Sequence, residues 1–269
     1  MNERIFDTKS IILITSALLN FFVFLYLIFN RSRGYHRSKK HLSLATLGVS
    51  IWIFSSWINH FTDNVFVVTF FSRLSYSTMV LTLVELILFT TSFRYKIPAI
   101  LIRSIGTIIF AFTQFSDLVI FTGIPAKDGV TESAEFGMGF QLWSFIMLLL
   151  TLFLIMALIS VLFNAKGVQK TQFIIIFTLF VFSISLVIFF NLILPNLGIN
   201  SFYYIGQYST FIFALGSAWV IVQEKIYSIK YLLSNILSLL TAGIVLFLLS
   251  WGTQKFEQLV LRWDITKLD

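Results

Sequence analysis

An all-α fold, a polytopic bundle of transmembrane helices, is what this sequence predicts, and three observations predict it. Eight apolar segments of about 20 residues each follow one another along the chain, the length a helix needs to cross hydrocarbon. The composition is 58% hydrophobic and only 12% charged, with a mean hydropathy of +0.91, whereas soluble domains carry roughly 25% charged residues. The loops between the segments alternate in charge. In hydrocarbon only helices and closed barrels satisfy every backbone N–H and C=O, and uninterrupted apolar runs of this length fit the helix.

The first segment runs from Ser10 to Asn30. It is no cleavable leader, because its apolar stretch is long and basic residues, not small ones, follow it. The second covers Leu42–His60, the third Phe66–Phe93 and the fourth Ile97–Ile120. The fifth covers Leu142–Asn164, the sixth Phe173–Leu194, the seventh Tyr203–Val222 and the eighth Tyr231–Trp251. The tail beyond spaces Phe256, Leu259, Val260 and Trp263 at helical intervals, the pattern of an amphipathic helix lying along an interface.

Lysine and arginine set the orientation. Arg31, Arg33, Arg37, Lys39, Lys40, Arg94, Lys96, Lys166, Lys170, Lys225 and Lys230 all fall in loops on one side. Up to the eighth span the other side has Arg4, Lys9 and Lys127. This split predicts an outside N-terminus and cytoplasmic basic loops. The net charge of +7 is therefore topological, and no nucleic-acid partner is expected. The longest external connection, 123–141, holds Pro125, Lys127, Asp128, Glu132 and Glu135 and is expected to be either a cap on the outer face or a solvated loop.

With no cysteine, the chain has neither disulfides nor thiolate metal sites. Its three histidines, His36, His41 and His60, stand at span ends and read as interfacial loop residues; haem in a bundle needs histidines at facing depths within spans. No phosphate-binding glycine loop, HExxH or phospho-acceptor histidine motif occurs. The seventh span has no lysine before Lys225 to hold retinal. No catalytic residue, metal or cofactor is predicted.

Charges inside spans are costly and normally pair within the bundle. Arg73 and Glu85 lie on the third span, Arg103 and Asp117 on the fourth. In an antiparallel hairpin, residues at equal depth stand symmetrically about the turn. Arg73 and Asp117 are centred on residue 95, and Glu85 and Arg103 on residue 94, so each basic residue has an acidic partner at its own depth. Helical phase fits less well: at 100° per residue, Arg73 and Glu85 stand about 120° apart, Arg103 and Asp117 about 40°. Near the outer level of Arg73 and Asp117 lie Asn191, Gln207 and Tyr208, and these five are the candidate lining of an outward-open ligand pocket. An aromatic belt accounts for Tyr203, Tyr204 and Trp143 at the same level.

Several stretches resemble a known family. The loop AKGVQKTQ follows the fifth span, NLILPNLGI (Asn191–Ile199) closes the sixth, and YYIGQYSTFIFALGSAWVIVQEKIYSIKYLL forms and leaves the seventh; FFSRLSYS stands on the third. Together they resemble the N-terminal seven-span sensor region of bacterial histidine kinases. Gln207 replaces a proline usual in that family, and the eighth span is an addition, as in the acyl-homoserine-lactone receptor branch that KIYSIKYLL also resembles. The resemblance implies a seven-span sensor domain over 1–230, with the eighth span and tail as 231–269. It also implies plasma-membrane residence, an unidentified small-molecule signal, a cytoplasmic kinase or other output module in cis or in trans, and a second copy of the chain as partner. Kinase activity itself would need a C-terminal catalytic region that these residues do not contain.

A receptor for a small or lipophilic ligand entering from the outer side is thus the leading reading. A secondary transporter also uses intramembrane charge pairs, but it typically shows glycine- or proline-broken spans in both halves. A scaffold subunit would use the pairs for packing alone. Solute flux across vesicles would single out the transporter.

Overall fold

The computed structural model describes residues 8–29, 36–93, 98–125, 133–190 and 203–222, all within the first of the chain's two units, Met1–Lys225. They form seven helices: α1 Thr8–Phe29, α2 His36–Phe61, α3 Val65–Thr91, α4 Ala99–Phe115, α5 Phe140–Asn164, α6 Gly167–Ile188 and α7 Tyr203–Val222. Five are long and apolar enough to cross a membrane, over Ser10–Phe29, Ser38–His60, Val65–Thr91, Phe140–Asn164 and Lys170–Val187, while α4 is a shorter apolar helix. The eighth apolar segment, the tail and the connection carrying Asn191 lie outside the described residues.

Local chemistry sets the helix limits. Asn64 caps α3, its Oδ1 accepting the N–H groups of Phe66 and Val67 at 3.0 and 3.3 Å, which satisfies two donors a helix start otherwise leaves free. Pro98, with φ −67°, precedes α4, where a fixed φ and a missing N–H cost nothing. Helix α4 then stops at Phe115, because Ser116 is extended and its Oγ accepts the N–H of Leu118 at 3.0 Å. The predicted fourth span, reaching Ile120, is therefore too long by more than a turn. At its other end α2 begins six residues earlier than the apolar window that predicts it. Backbone hydrogen bonds need no apolar side chain, so the helix runs on through Lys39, Lys40 and His41.

The helical fold carries one short non-helical addition. Strands β1 (Ile120–Ile124) and β2 (Ser133–Phe136) form an antiparallel hairpin in the connection between α4 and α5. Ile120 faces Phe136 and Ile124 faces Ser133, with an irregularity between Ile120 and Thr122. The hairpin lies on α3, where the N–H of Gly123 donates to Thr69 Oγ1 at 2.8 Å. A Cβ at Gly123 would meet the backbone of Val68 and Thr69, so only glycine permits this approach.

Helices α1, α2, α3, α5, α6 and α7 form a ring in that order. Helix α7 returns to α1 and α2, and α4 packs against α3 from outside. Small polar side chains rivet the neighbours. Ser50 Oγ donates to Ala17 O at 2.8 Å between α2 and α1. Ser183 and Ser209 each donate to the other's carbonyl, at 2.9 and 3.1 Å, between α6 and α7. Gln172 Nε2 donates to Val220 O at 3.1 Å further along the same pair. Between those two rivets Gly216 faces Leu179. Small residues and interhelical hydrogen bonds of this kind hold helices together where lipid removes the hydrophobic drive. Outward faces are apolar instead: Ile100, Phe115 and Phe163 are 78%, 79% and 81% exposed, surfaces suited to hydrocarbon and not to water.

Gly216→Ile forces a branched side chain into Leu179 and is expected to cost about 1–3 kcal/mol. Thermal unfolding of purified protein in detergent measures this, and Leu179→Ala in the same chain is expected to restore most of the loss.

Candidate functional site

Three features of the ring bear on function: two charged clusters on α3 and one cavity. The inner cluster is built on Glu85, 8% exposed. Arg103 of α4 donates through Nε to Glu85 Oε1 at 2.6 Å and through Nη2 to Oε2 at 3.0 Å, a bidentate fork. On the other side His41 Nδ1 of α2 lies 2.8 Å from Glu85 Oε2. It also lies 3.3 Å from Arg103 Nη2, but that nitrogen only donates. The shorter contact to the carboxylate therefore assigns the proton to His41 Nδ1. One carboxylate thus ties α2, α3 and α4 together.

The sequence expectation that His41 is an interfacial loop residue is corrected: it is 3% exposed and belongs to this buried triad. The usable signal was its position one turn inside the basic loop, at the level of Glu85 and Arg103 in neighbouring spans.

The outer cluster is built on Arg73. Its Nη2 donates to Asp117 Oδ1 at 2.5 Å and to Phe121 O at 3.0 Å, and its Nε donates to Ile120 O at 3.0 Å. Asp117 sits in the turn after α4, not on it, and its side chain is 71% exposed. This resolves the conflict of helical phase. Past Phe115 the chain is no longer helical, so 100° per residue ceases to apply to Asp117. Arg73 and Asp117 act together as a clasp that holds the start of β1 onto α3.

The remaining candidates are dispersed. Gln207 is buried on α7 and donates to Ser56 Oγ of α2 at 3.1 Å. Tyr208 is partly buried, with its ring 6.2 Å from that of Phe211 on the same helix. Asn191 lies outside the described residues. Of the four expected pocket residues that are described, only Arg73 and Asp117 are in contact.

The cavity lies elsewhere. It has a volume of about 340 Å³ and is bounded by α2, α3, α5, α6 and α7, at the lower end of the roughly 300–1,000 Å³ usual for ligand sites. Leu42, Val49, Trp52, Met79, Leu86 and Phe213 represent its walls. Leu42 and Leu86 directly follow His41 and Glu85 in sequence, so the inner triad adjoins the cavity floor. Near the outer end, Trp143 lines it. The Trp143 ring is 5.3 Å from Tyr76 and stacks on Phe140 at 5.9 Å, and Phe140 stacks on Phe136 of β2 at 3.8 Å. An aromatic chain therefore joins the cavity to the β1–β2 hairpin. Sequence reasoning assigned Trp143 to an interfacial belt and missed this cavity, because its lining is scattered over five helices and carries no motif. Among the described residues no cluster of His, Asp or Glu able to hold a metal occurs.

The family model for the N-terminal 7TM region of histidine kinase matches residues 12–230. The chain belongs to that family. It is accordingly a membrane protein of several spans, and its matched part is a non-catalytic sensor region. In this 7TM region the ring encloses the cavity, and the triad ties its neighbouring helices α2 and α3 to α4. No curated protein matches the chain.

Removing one partner from a buried pair strands the other charge, so Glu85→Gln is expected to destabilise the bundle by about 3 kcal/mol. The double variant Glu85→Gln with Arg103→Gln is expected to lose clearly less than the two single losses combined. Unfolding titrations of the four proteins in one lipid–detergent mixture measure the coupling.

Proposed function

We propose that this region senses a small lipophilic ligand for a histidine-kinase-type signalling system in the plasma membrane. The N-terminus is outside, and eight spans place the basic loops in the cytoplasm. The ligand occupies the cavity between α2, α3, α5, α6 and α7, reached from the outer half. The resulting helix rearrangement passes to a cytoplasmic output module. The observation that carries this reading is the cavity itself: it is apolar, contacts five of the seven helices, and adjoins at its floor the triad that ties α2 to α3 and α4. A ligand there touches the neighbouring pairs α2–α3, α3–α5, α5–α6 and α6–α7 of the ring at once. Ligand control requires different affinities for the two arrangements, and a shared cavity is where such a difference arises.

Arg73 and Asp117 enter as the clasp on the external hairpin, whose aromatic chain leads to Trp143. Gln207 and Tyr208 act through α7, which leads towards the basic exit at Lys225 and Lys230.

Ala214 of α7 lines the cavity, so Ala214→Phe occupies it with protein. In native membranes this variant is expected to change phosphorylation of the downstream output by about fivefold, the lower range of coupling between sites. Unchanged phosphorylation at equal membrane abundance rejects the cavity as the signal site. Orientation has its own test, made simple by the absence of native cysteine. A membrane-impermeant thiol reagent is expected to label Glu135→Cys on intact cells and to label Ser32→Cys only after permeabilisation.

A further inference from the structure

We infer that the cavity is filled sideways from the bilayer, between α5 and α6, by the hydrocarbon of an acyl chain. This deepens the proposed function and rests on the cavity being the signal site.

Two observations carry it. The first is where the cavity opens. Helix α5 presents a continuous outward stripe of Phe145, Leu148, Leu149, Leu152, Met156 and Phe163, all exposed at the three- and four-residue spacing of one helix face. Leu148, 55% exposed, belongs to this stripe and also lines the cavity. Every other lining residue is buried or partly buried. The cavity therefore meets the outside through a leucine on the lipid-facing side of the bundle, beside the α6 residues Ile184 and Val187 that also line it. A molecule already dissolved in hydrocarbon passes this point without shedding or crossing water.

The second observation is what the walls offer. Five lining residues carry hydroxyls, and each donates its proton to a backbone carbonyl. Thr46 donates to Ser43 O at 2.8 Å, Thr82 to Thr78 O at 2.9 Å and Thr151 to Met147 O at 2.8 Å. Ser183 donates to Ser209 O at 2.9 Å and Thr210 to Gln207 O at 2.7 Å. With their protons spent on the helices, these residues bring no hydroxyl donor to an occupant. No charged side chain lines the cavity. A strongly polar ligand would meet only the hydroxyl lone pairs and the unpartnered indole N–H of Trp143, too few to replace its hydration, whereas a hydrocarbon chain gives up nothing. Such a chain comes from two sources, a resident phospholipid or a free fatty amphiphile, and both enter by the same route.

Trp52 of α2 stands on the cavity wall away from α5 and α6 and reports occupancy. Full-length protein with Trp52 as its only tryptophan, the other five changed to Phe, is reconstituted into lipid nanodiscs. One set of discs is made of phosphatidylcholine with dibrominated acyl chains. A second is unbrominated, with dibromostearate added. Bromine quenches indole only on contact. Trp52 emission is expected to fall in one or both sets as far as that of a control tryptophan at the lipid-facing position, Leu149→Trp, and to recover in Ala214→Phe. Loss in the first set identifies a resident lipid chain, and loss only in the second a free amphiphile. The same comparison between wild type and Trp52→Phe yields the Trp52 contribution with the other tryptophans in place.

Lateral entry is overturned if neither set quenches Trp52, or if quenching persists undiminished in Ala214→Phe. If Trp52 is instead quenched by aqueous acrylamide while Ala214→Phe still alters downstream phosphorylation, the signal site stands and only the lipid route falls. If Ala214→Phe alters neither phosphorylation nor quenching, both readings fall.

Discussion

The Glu85 carboxylate is the constraint on which the inner half of this bundle depends. A single ionised group at that depth is tolerable only when its lone pairs are filled, and Arg103 and His41 fill them from opposite sides. The consequence is geometric. Helix α4, which otherwise packs on the outside of α3 and buries little of itself, is held at its inner end by a forked ion pair. Helix α2 is held to the same point through an imidazole. The register of all three helices follows from one residue.

The outer half is organised by a different economy. There Arg73 contributes its guanidinium to an aspartate and to two backbone carbonyls of the hairpin strand. Short irregular backbone near a membrane face needs partners for its polar groups, and a fixed arginine on a long helix supplies them. Behind the clasp, Phe136, Phe140, Tyr76 and Trp143 form the aromatic contacts that reach the cavity. The hairpin and the cavity are thereby joined by packed rings.

Much of this was legible in the chain itself. The hydrophobic runs locate α1, α3 and α5 to within two residues at either end, because a helix in hydrocarbon is selected by length and apolarity alone. The matched depths of Arg73 with Asp117 and of Glu85 with Arg103 follow from antiparallel symmetry about one short turn. The limits were also physical. The apolar window marks where hydrocarbon is, not where hydrogen bonding stops, so it missed the inner turns of α2 that carry His41. It equally carried α4 through Ser116, where a local side-chain to backbone bond ends the helix and hands over to a hairpin.

The sequence by itself determined the class of the protein, the number and spacing of its apolar segments, the loops in which its basic residues gather and the pairs of charges that must neutralise each other. Each of these is a one-dimensional property, set by segment length, by charge in loops or by distance from a turn. Only the tertiary structure decided that His41 completes the Glu85 site, that Asp117 belongs to a turn, and that the central cavity is an apolar chamber whose wall hydroxyls all donate to backbone carbonyls. Those depend on how six helices close into a ring, which brings residues from α2 to α7 to one surface. No spacing along the chain encodes that convergence, because it arises from the packing of side chains at Ser50, Ser183, Ser209 and Gly216 that fixes how closely each helix approaches the next.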